Sequence, residues 1–177
     1  MYEKTFPHKR YQKTIQFLEN HIPREEHILD LGVKNPLSEI LKDRGYRVDN
    51  TSGEDLDIDF SAVSNTNADV VTAFEIFEHL LAPFNVLRHI KSDKLVASVP
   101  LRLWFAPAYK SETDSWDRHY HEFEDWQFDW LLEKSGWKIE ARTKWCHPVK
   151  RFGIRPLLRL FTPRYYMVYA TRQEHPL

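Results

Sequence analysis

Two short stretches of the chain concentrate the side chains that could do acid–base or metal chemistry. Glu75, Glu78 and His79 follow one apolar run, and His119 and His121 lie later in the chain. If the first stretch turns helically, Glu75 lies beside Glu78 and His79, because residues three and four apart are neighbours on a helix. Two carboxylates and an imidazole could hold a divalent cation. Either later histidine could be a general base, since the unperturbed pKa of a histidine side chain is about 6.5. We expect no metal, and we expect Glu78 to tie down its loop by hydrogen bonds.

A strand, a glycine turn and a helix are predicted between His27 and Gly45. Asn35 suits the N-cap of the helix, Pro36 suits its first position, and Gly45 follows the last helical residue. This unit places the N–H groups of a helix N-terminus at the carboxyl end of the strand, beside Asp30. An anionic group of a ligand could therefore bind there.

The rest of the chain alternates strands and helices, which predicts a mainly parallel sheet with helices on both faces. This is a doubly wound α/β fold with seven strands. The predicted strands are 28–33, 46–51, a short one within 52–60, 68–74, 94–100, 137–145 and 164–172. The predicted helices are 10–21, 36–44, 83–91, 124–135 and a short one within 151–161.

Ligands of such sheets bind beyond the carboxyl ends of the strands. The element order brings several residues to that edge: Asp30, Gly32, Thr51, Ser52, Asp57, Phe74, Glu75, Pro100 and Leu101. An unpaired carboxylate at Asp30 would be costly at the end of a buried strand. Asp30 therefore either accepts hydrogen bonds from the ligand and loop or caps the following turn. Asp57 either faces the ligand or lies on a solvated strand edge.

The length of 177 residues fits one domain, with an N-terminal helical segment at 1–26 and a lid loop at 101–122. A loop as long as 101–122 is usually functional in a compact domain. Its aromatic residues Trp104, Phe105 and Tyr109 are candidates for holding a substrate.

Composition narrows the class of protein. The net charge is −1, and Cys146 is the single cysteine, which excludes an intrachain disulfide and suits a reducing compartment. We find no signal peptide and no apolar run of the length that spans a bilayer. These features predict a soluble cytoplasmic protein, and they do not predict an oligomeric state.

The end of the chain is basic. From Arg142 onward there are eight Lys or Arg residues against one acid, Glu174. Such a segment could bind an anionic membrane surface or a nucleic acid, but most basic runs are solvated faces. Because Pro156 and Pro163 interrupt the segment, we expect neither a membrane surface nor nucleic acid as a partner.

Several motifs then occur in order and at suitable spacing. They are ILDLGVKNP at 28–36, ADVVTAFEIFEHL at 68–80, SVPLR at 98–102 and HEF at 121–123 before a helix ending in EKSGW at 133–137. Together they resemble the class I S-adenosylmethionine-dependent methyltransferases, which have a Rossmann-like fold, and the resemblance covers nearly the whole chain. It implies S-adenosylmethionine as the cofactor and in-line methyl transfer to a small-molecule or glycan-type acceptor. The alternative is a methyltransferase-like binding protein without catalysis.

The resemblance also implies roles for residues of the cofactor site. Asp30 and Gly32 match the first motif, whereas Lys34 and Pro36 stand where the family has further glycines. Lys34 could pair with the carboxylate of the cofactor.

Further roles follow from the strands beyond the first motif. Ser52 stands where the family has an acid that binds the ribose, so that Glu54 or Asp55 could replace this acid if the loop bends. Asp57 is the residue that we expect to accept the amino group of adenine, and Phe74 lies at the carboxyl end of the fourth predicted strand.

The resemblance bears on the catalytic candidates as well. His121 matches the histidine that precedes a helix in the family, although it could instead cap that helix. Ubiquinone-type O-methyltransferases share the pattern of Glu75, Glu78 and His79 and have been linked to a metal, but many relatives carry the pattern without one. We therefore predict Glu75, His79 and His121 as catalytic residues, with Glu75 also contacting the cofactor.

Overall fold

Parallel strands bring the predicted site residues to one edge of a single sheet. The computed structural model describes residues 8–149 and 152–173. The strands in this part of the chain are β1 His27–Asp30, β2 Arg47–Asn50, β3 Val70–Phe74, β4 Lys94–Pro100, β5 Trp137–Cys146 and β6 Pro163–Arg172. Their order across the sheet is β2-β1-β3-β4-β6-β5. The strands β1 to β4 pair in parallel, and β6 runs antiparallel to both β4 and β5, so the sheet is mixed.

Helices cover both faces of the sheet. They are α1 His8–His21, α2 Pro36–Asp43, α3 Ser61–Ser64, α4 Pro83–His89, α5 Asp125–Lys134 and α6 Ile154–Leu158, with a 3-10 turn at Phe77–His79. Buried side chains of α1 and α2 pack with Ile28 and Val70 on one face. Those of α3, α4 and α5 pack with Val71 and Leu95 on the other. Neighbouring strand residues thus point to opposite cores, as the period of two requires.

The start and end of α2 are as the sequence predicts. The Asn35 side chain accepts hydrogen bonds from the N–H groups of Leu37 and Ser38, and Pro36 is the first helical residue. Gly45 follows the helix with a φ of +95°. Glycine suits this left-handed position because it carries no Cβ.

The prediction of a strand within residues 52–60 is wrong. Residues 56–58 form a turn, in which the N–H groups of Ile58 and Asp59 donate to the carbonyl oxygen of Asp55. Ile58 is 78% exposed, so the apolar alternation here does not mark a buried face. The described residues therefore form six strands instead of seven, with β2 at the edge.

The loop 101–122 has no helix or strand along its described length, apart from a bridge between Leu101 and Phe123. The carbonyl oxygen of Glu78 accepts hydrogen bonds from the N–H groups of Tyr120 and His121. Both ends of the loop are therefore fastened beside the sheet. Across residues 8–149 and 152–173, no helix is both long enough and apolar enough to cross a membrane.

Candidate cofactor and acceptor site

Asp30 is the centre of a hydrogen-bond network at the carboxyl end of β1. Its Oδ1 accepts from the Thr72 hydroxyl at 2.6 Å, and its Oδ2 accepts from the side-chain amides of Asn35 and Asn50 at 3.1 Å each. Burial raises the pKa of Asp30 to about 6, and the three hydrogen bonds act in the opposite direction. One carboxylate thus joins β3, β2 and the N-cap of α2, which determines the shape of the loop between β1 and α2.

Gly32 lies in that loop with a φ of +106°, a conformation that favours glycine. Its N–H donates to the Thr51 hydroxyl at 2.8 Å, and its carbonyl oxygen accepts from Asn50 at 3.3 Å. A Cβ at this position would meet Ile76 at an ordinary distance of 3.5 Å. The requirement for glycine therefore comes from the backbone and not from crowding.

An acidic residue, Glu54, follows the end of β2, where the resemblance leaves the ribose-binding acid unassigned. Gly53 has a φ of +95° and bends the chain, and Glu54 Oε2 accepts from the N–H of Ser52 at 2.8 Å. The carboxylate of Glu54 is thereby returned to the carboxyl end of β2, beside Ser52. Ser52 itself is exposed.

Two of the predicted cofactor residues already have protein partners. The Asp57 carboxylate accepts from the N–H groups of Leu81 and Ala82, both at 2.8 Å, and so holds the start of α4. Lys34 Nζ lies 3.1 Å from Glu39, in an exposed ion pair. Asp57 therefore has a structural function in this fold whether or not it also binds a ligand.

Phe74 and Glu75 end β3. Phe74 is partly buried against the core shared with α1 and α2. Glu75 has a φ of +59°, which is strained for a residue with a side chain. Its carboxylate accepts from the Ser98 hydroxyl at 2.8 Å and lies 3.7 Å from the guanidinium of Arg10. Burial raises the pKa of Glu75, and Arg10 partly offsets this effect.

A second polar cluster lies directly after Glu75. Glu78 is 1% exposed, and its Oε2 has no hydrogen-bond partner among the described residues. Burial, and next the charge of Glu75, raise the pKa of Glu78 well above its usual range, which favours the protonated acid. His79 donates from Nδ1 to the carbonyl oxygen of Arg118 at 3.0 Å, which leaves Nε2, 3.7 Å from Glu78, as the proton acceptor.

The loop 101–122 completes this cluster with His119. The rings of His79 and His119 pack edge to face, with centroids 4.7 Å apart. Burial, and next the nearby His79, lower the pKa of His119 to about 4. Potential ligand atoms of Glu78, His79 and His119 lie within 4.8 Å of one another. The structure thus groups His119, instead of Glu75, with the other two, and three donors are fewer than the four that zinc usually takes in structural sites.

His121 does not share the surroundings of His119. Its Nε2 donates to the carbonyl oxygen of Leu81 at 3.2 Å, and its ring stacks on Phe123. Nδ1 is then the nitrogen that can accept a proton. His121 also holds the loop against the start of α4, a contact that neither sequence interpretation included.

Sequence reasoning missed the partners that hold the site together. Thr72, Asn50 and Ser98 are the polar residues that bind Asp30 and Glu75, and Arg10 reaches Glu75 from α1. A polar residue inside an apolar strand, such as Thr72 in VVTAF, was an available signal. The contact of Arg10 had none, because it depends on how α1 packs.

Comparisons with known proteins support the fold. No protein-family model matches the chain, and neither does any curated protein. Solved structures do match over nearly the full length. A chain of the complex between the Haloferax volcanii Trm112 methyltransferase activator and a presumed methyltransferase is 12% identical, with a TM-score of 0.66 over 95% of this chain and 92% of that one.

Two further structures agree. The magnesium protoporphyrin IX methyltransferase of Synechocystis PCC 6803, with S-adenosylhomocysteine bound, is 11% identical, with a TM-score of 0.57 over 93% of this chain and 83% of that one. An S-adenosylmethionine-dependent methyltransferase of Archaeoglobus fulgidus is 16% identical, with a TM-score of 0.59 over 92% and 94%. The chain has the Rossmann-like fold of the class I methyltransferases.

Proposed function

We propose that the protein is an S-adenosylmethionine-dependent methyltransferase that acts on a small-molecule or glycan-type acceptor. The observation that carries this proposal is the position of Glu54. The bend at Gly53 returns its carboxylate to Ser52, where the resemblance implies an acid for the ribose hydroxyls. We infer that Glu54, two residues beyond Ser52, takes the role of that acid.

The remaining cofactor residues fit this assignment. Gly32 and the network of Asp30 would shape the loop that receives the amino-acid end of the cofactor. Lys34 could pair with its carboxylate, because the ion pair between Lys34 and Glu39 is exposed to solvent and is therefore easily exchanged. Each oxygen of Asp57 accepts one N–H group and has a further lone pair, so it could also receive the amino group of adenine.

The cofactor supplies an electrophilic methyl group on a sulfonium, and the chain contributes alignment and proton removal. His79 is the better-placed base of the two histidines, because its free Nε2 lies in the cluster beneath the loop 101–122. His121 could act only through Nδ1 while its Nε2 binds Leu81. Glu75, with its charge balanced by Arg10, would orient the acceptor or the cofactor.

Calorimetric titration of S-adenosylhomocysteine tests the proposal. We expect the wild type to bind it, and Glu54→Gln to weaken binding about tenfold or more, since charge-assisted hydrogen bonds to the ribose are lost. The matched control is Glu25→Gln, an exposed residue before β1 and therefore at the opposite edge of the sheet. The control should bind as the wild type does.

Two outcomes would count against the proposal. A folded wild type that binds no S-adenosylhomocysteine would contradict the enzyme assignment and favour a binding protein with a retained fold. Equal affinity of Glu54→Gln and the wild type would remove the assignment of Glu54. Where binding is found, His79→Phe should abolish turnover of a hydroxyl acceptor while leaving the affinity for S-adenosylhomocysteine within about threefold.

A further inference from the structure

The segment that joins β5 to β6 carries large apolar side chains that are exposed and do not pack into the core formed by residues 8–149 and 152–173. Five of the ten residues 152–161 are exposed and apolar: Phe152, Ile154, Leu157, Leu160 and Phe161. Phe152 is fully exposed and Phe161 is 76% exposed. No residue of α6, which forms the middle of this segment, is buried. An apolar surface of this kind marks an interaction site in a soluble domain.

The same segment is strongly basic. Arg155 and Arg159 alternate with its apolar residues, and the chain has no acidic residue between Ala141 and Gln173. The surrounding field is positive as well. After burial, the charges of Arg159, Arg10, Arg164 and Lys9 lower the pKa of His147, which precedes the segment. Exposed apolar side chains surrounded by cations are complementary to a partner that has a negatively charged surface and an apolar interior.

The segment also lies at the edge of the sheet that holds the candidate site. Cys146 at the end of β5 pairs with Pro163 at the start of β6, and Tyr165 pairs with Pro100 at the carboxyl end of β4. Arg164 and Leu101 exchange hydrogen bonds, at 2.7 Å between backbone atoms and at 2.6 Å from the guanidinium. The loop 101–122 therefore begins directly beside the segment, and its Trp104 is 69% exposed.

We propose that the exposed apolar and basic residues 152–161 dock the protein on the surface of an anionic phospholipid bilayer. Aliphatic side chains such as Ile154 and Leu157 gain from entering the boundary between headgroups and acyl chains. They gain little from a nucleic acid, which is bound by stacking aromatics and phosphate contacts. Because the segment lies beside the loop 101–122, docking turns the entrance of the candidate site towards the membrane. The proposal does not depend on methyl transfer.

The sequence alone weighed against this partner because Pro156 and Pro163 interrupt any long amphipathic helix. The structure removes that objection, because α6 has only five residues and the exposed side chains extend beyond both of its ends. A short loop that inserts its tip needs no long helix. Docking by such a loop requires only exposed apolar residues and nearby cations, and both are present.

Vesicle flotation with the full chain tests the proposal. The vesicles contain phosphatidylcholine alone or phosphatidylcholine with about one third phosphatidylglycerol. We expect the wild type to bind the anionic vesicles at least about tenfold more tightly than the neutral ones, and salt at about 0.5 M to weaken binding by screening. The double variant Phe152→Ser, Phe161→Ser should lose at least about tenfold in affinity.

Matched variants separate this surface from others. Trp126→Ser with Trp130→Ser removes two exposed aromatic residues of α5 and should bind as the wild type does. Arg155→Glu with Arg159→Glu should weaken binding by at least about fivefold for each arginine replaced, since each replacement removes a positive charge and adds a negative one. Its control, Arg24→Glu with Arg47→Glu, makes the same charge change at the opposite edge of the sheet. Denaturant unfolding verifies that each variant is folded.

Three results would overturn the proposal. The first is a wild type that does not float with anionic vesicles, or that floats equally with neutral ones. The second is equal vesicle binding by the two double aromatic variants. The third is binding of an oligonucleotide without vesicle binding, or dimerisation that Phe152→Ser with Phe161→Ser abolishes. That result would assign the surface to nucleic acid or to a second copy of the chain.

Discussion

Replacing Asp30 by asparagine separates the two functions that its carboxylate could have. Asparagine has nearly the same shape, and its amide can keep all three contacts. Its oxygen can accept from Asn35 and Asn50 while its NH2 donates to the Thr72 hydroxyl, which rotates to accept. The substitution therefore preserves the network and removes only the negative charge.

The removed charge has a calculable effect on stability. Burial raises the pKa of Asp30 from 3.8 to about 6, and a difference of about two in pKa is worth about 3 kcal/mol. Between these values the folded state binds more protons than the unfolded state. The contribution of Asp30 to the unfolding free energy is therefore greatest below the unfolded pKa and is lost as the pH rises through 6. From pH 7.5 to 4.5 the wild type should gain about 2 kcal/mol relative to Asp30→Asn.

Urea unfolding followed by tryptophan fluorescence, at several pH values between 7.5 and 4.5, measures this difference. Subtracting the variant from the wild type cancels the contributions of His119 and of the other buried acids. Asp43→Asn, at the exposed end of α2, is the control and should run parallel to the wild type. Parallel curves for Asp30→Asn and the wild type would refute the assignment of a buried, titrating Asp30.

The same variant also tests how Asp30 serves the cofactor. Asp30 is 3% exposed and accepts three hydrogen bonds from the protein, so we expect Asp30→Asn to bind S-adenosylhomocysteine within about threefold of the wild type. Asp30→Ala, which removes the network, should lose at least about tenfold. A large loss in Asp30→Asn would mean instead that the negative charge contacts the ammonium group of the ligand.

Three further predictions concern single positions. Gly32→Ala and Gly45→Ala should each lower the unfolding free energy by about 1–2 kcal/mol, since both glycines have positive φ. In calorimetry, only Gly32→Ala should weaken the binding of S-adenosylhomocysteine. Tyr166→Phe should lower the unfolding free energy, measured with urea, by about 1–3 kcal/mol, because the buried hydroxyl donates to Asp129 at 2.6 Å. An unchanged unfolding free energy would contradict this hydrogen bond. Glu78→Gln should change stability by less than about 1 kcal/mol at pH values below the raised pKa of Glu78, where the acid is neutral. It should also remove the loss of wild-type stability that occurs as the pH rises through that pKa. A large loss of stability in the variant at low pH would contradict a neutral, buried Glu78.

Local signals predicted α2 almost residue by residue. Asn35, Pro36 and Gly45 act within one or two turns of the chain, so their effect can be inferred without knowing the tertiary structure. The strands of the sheet were predicted for a related reason. Val70–Phe74 and Lys94–Pro100 are almost wholly apolar, as strands buried on both faces must be.

The prediction of a seventh strand, within residues 52–60, was wrong because contacts with distant residues override the local sequence pattern. The alternation of Leu56, Ile58 and Phe60 resembles a half-buried strand, but Asp57 accepts two N–H groups from residues more than 20 positions later. These bonds hold the segment as a turn beneath the start of α4. The same limit applies to Arg10 and Glu75, whose contact depends on the packing of α1.

The network around Asp30 explains how the loop is held although Lys34 and Pro36 stand where the resemblance implies glycines. Glycines allow a loop to adopt positive φ angles but do not hold it there. This loop is held by the side-chain amides of Asn35 and Asn50 and by the Thr72 hydroxyl, which all donate to the Asp30 carboxylate. Pro36 costs nothing there, because the N–H that it lacks would be unpaired at the first position of a helix in any case. Gly32, the glycine that remains, is the one whose φ requires it. Side-chain hydrogen bonds therefore hold this loop where the resemblance implies two further glycines, and this arrangement is compatible with the cofactor site that we propose.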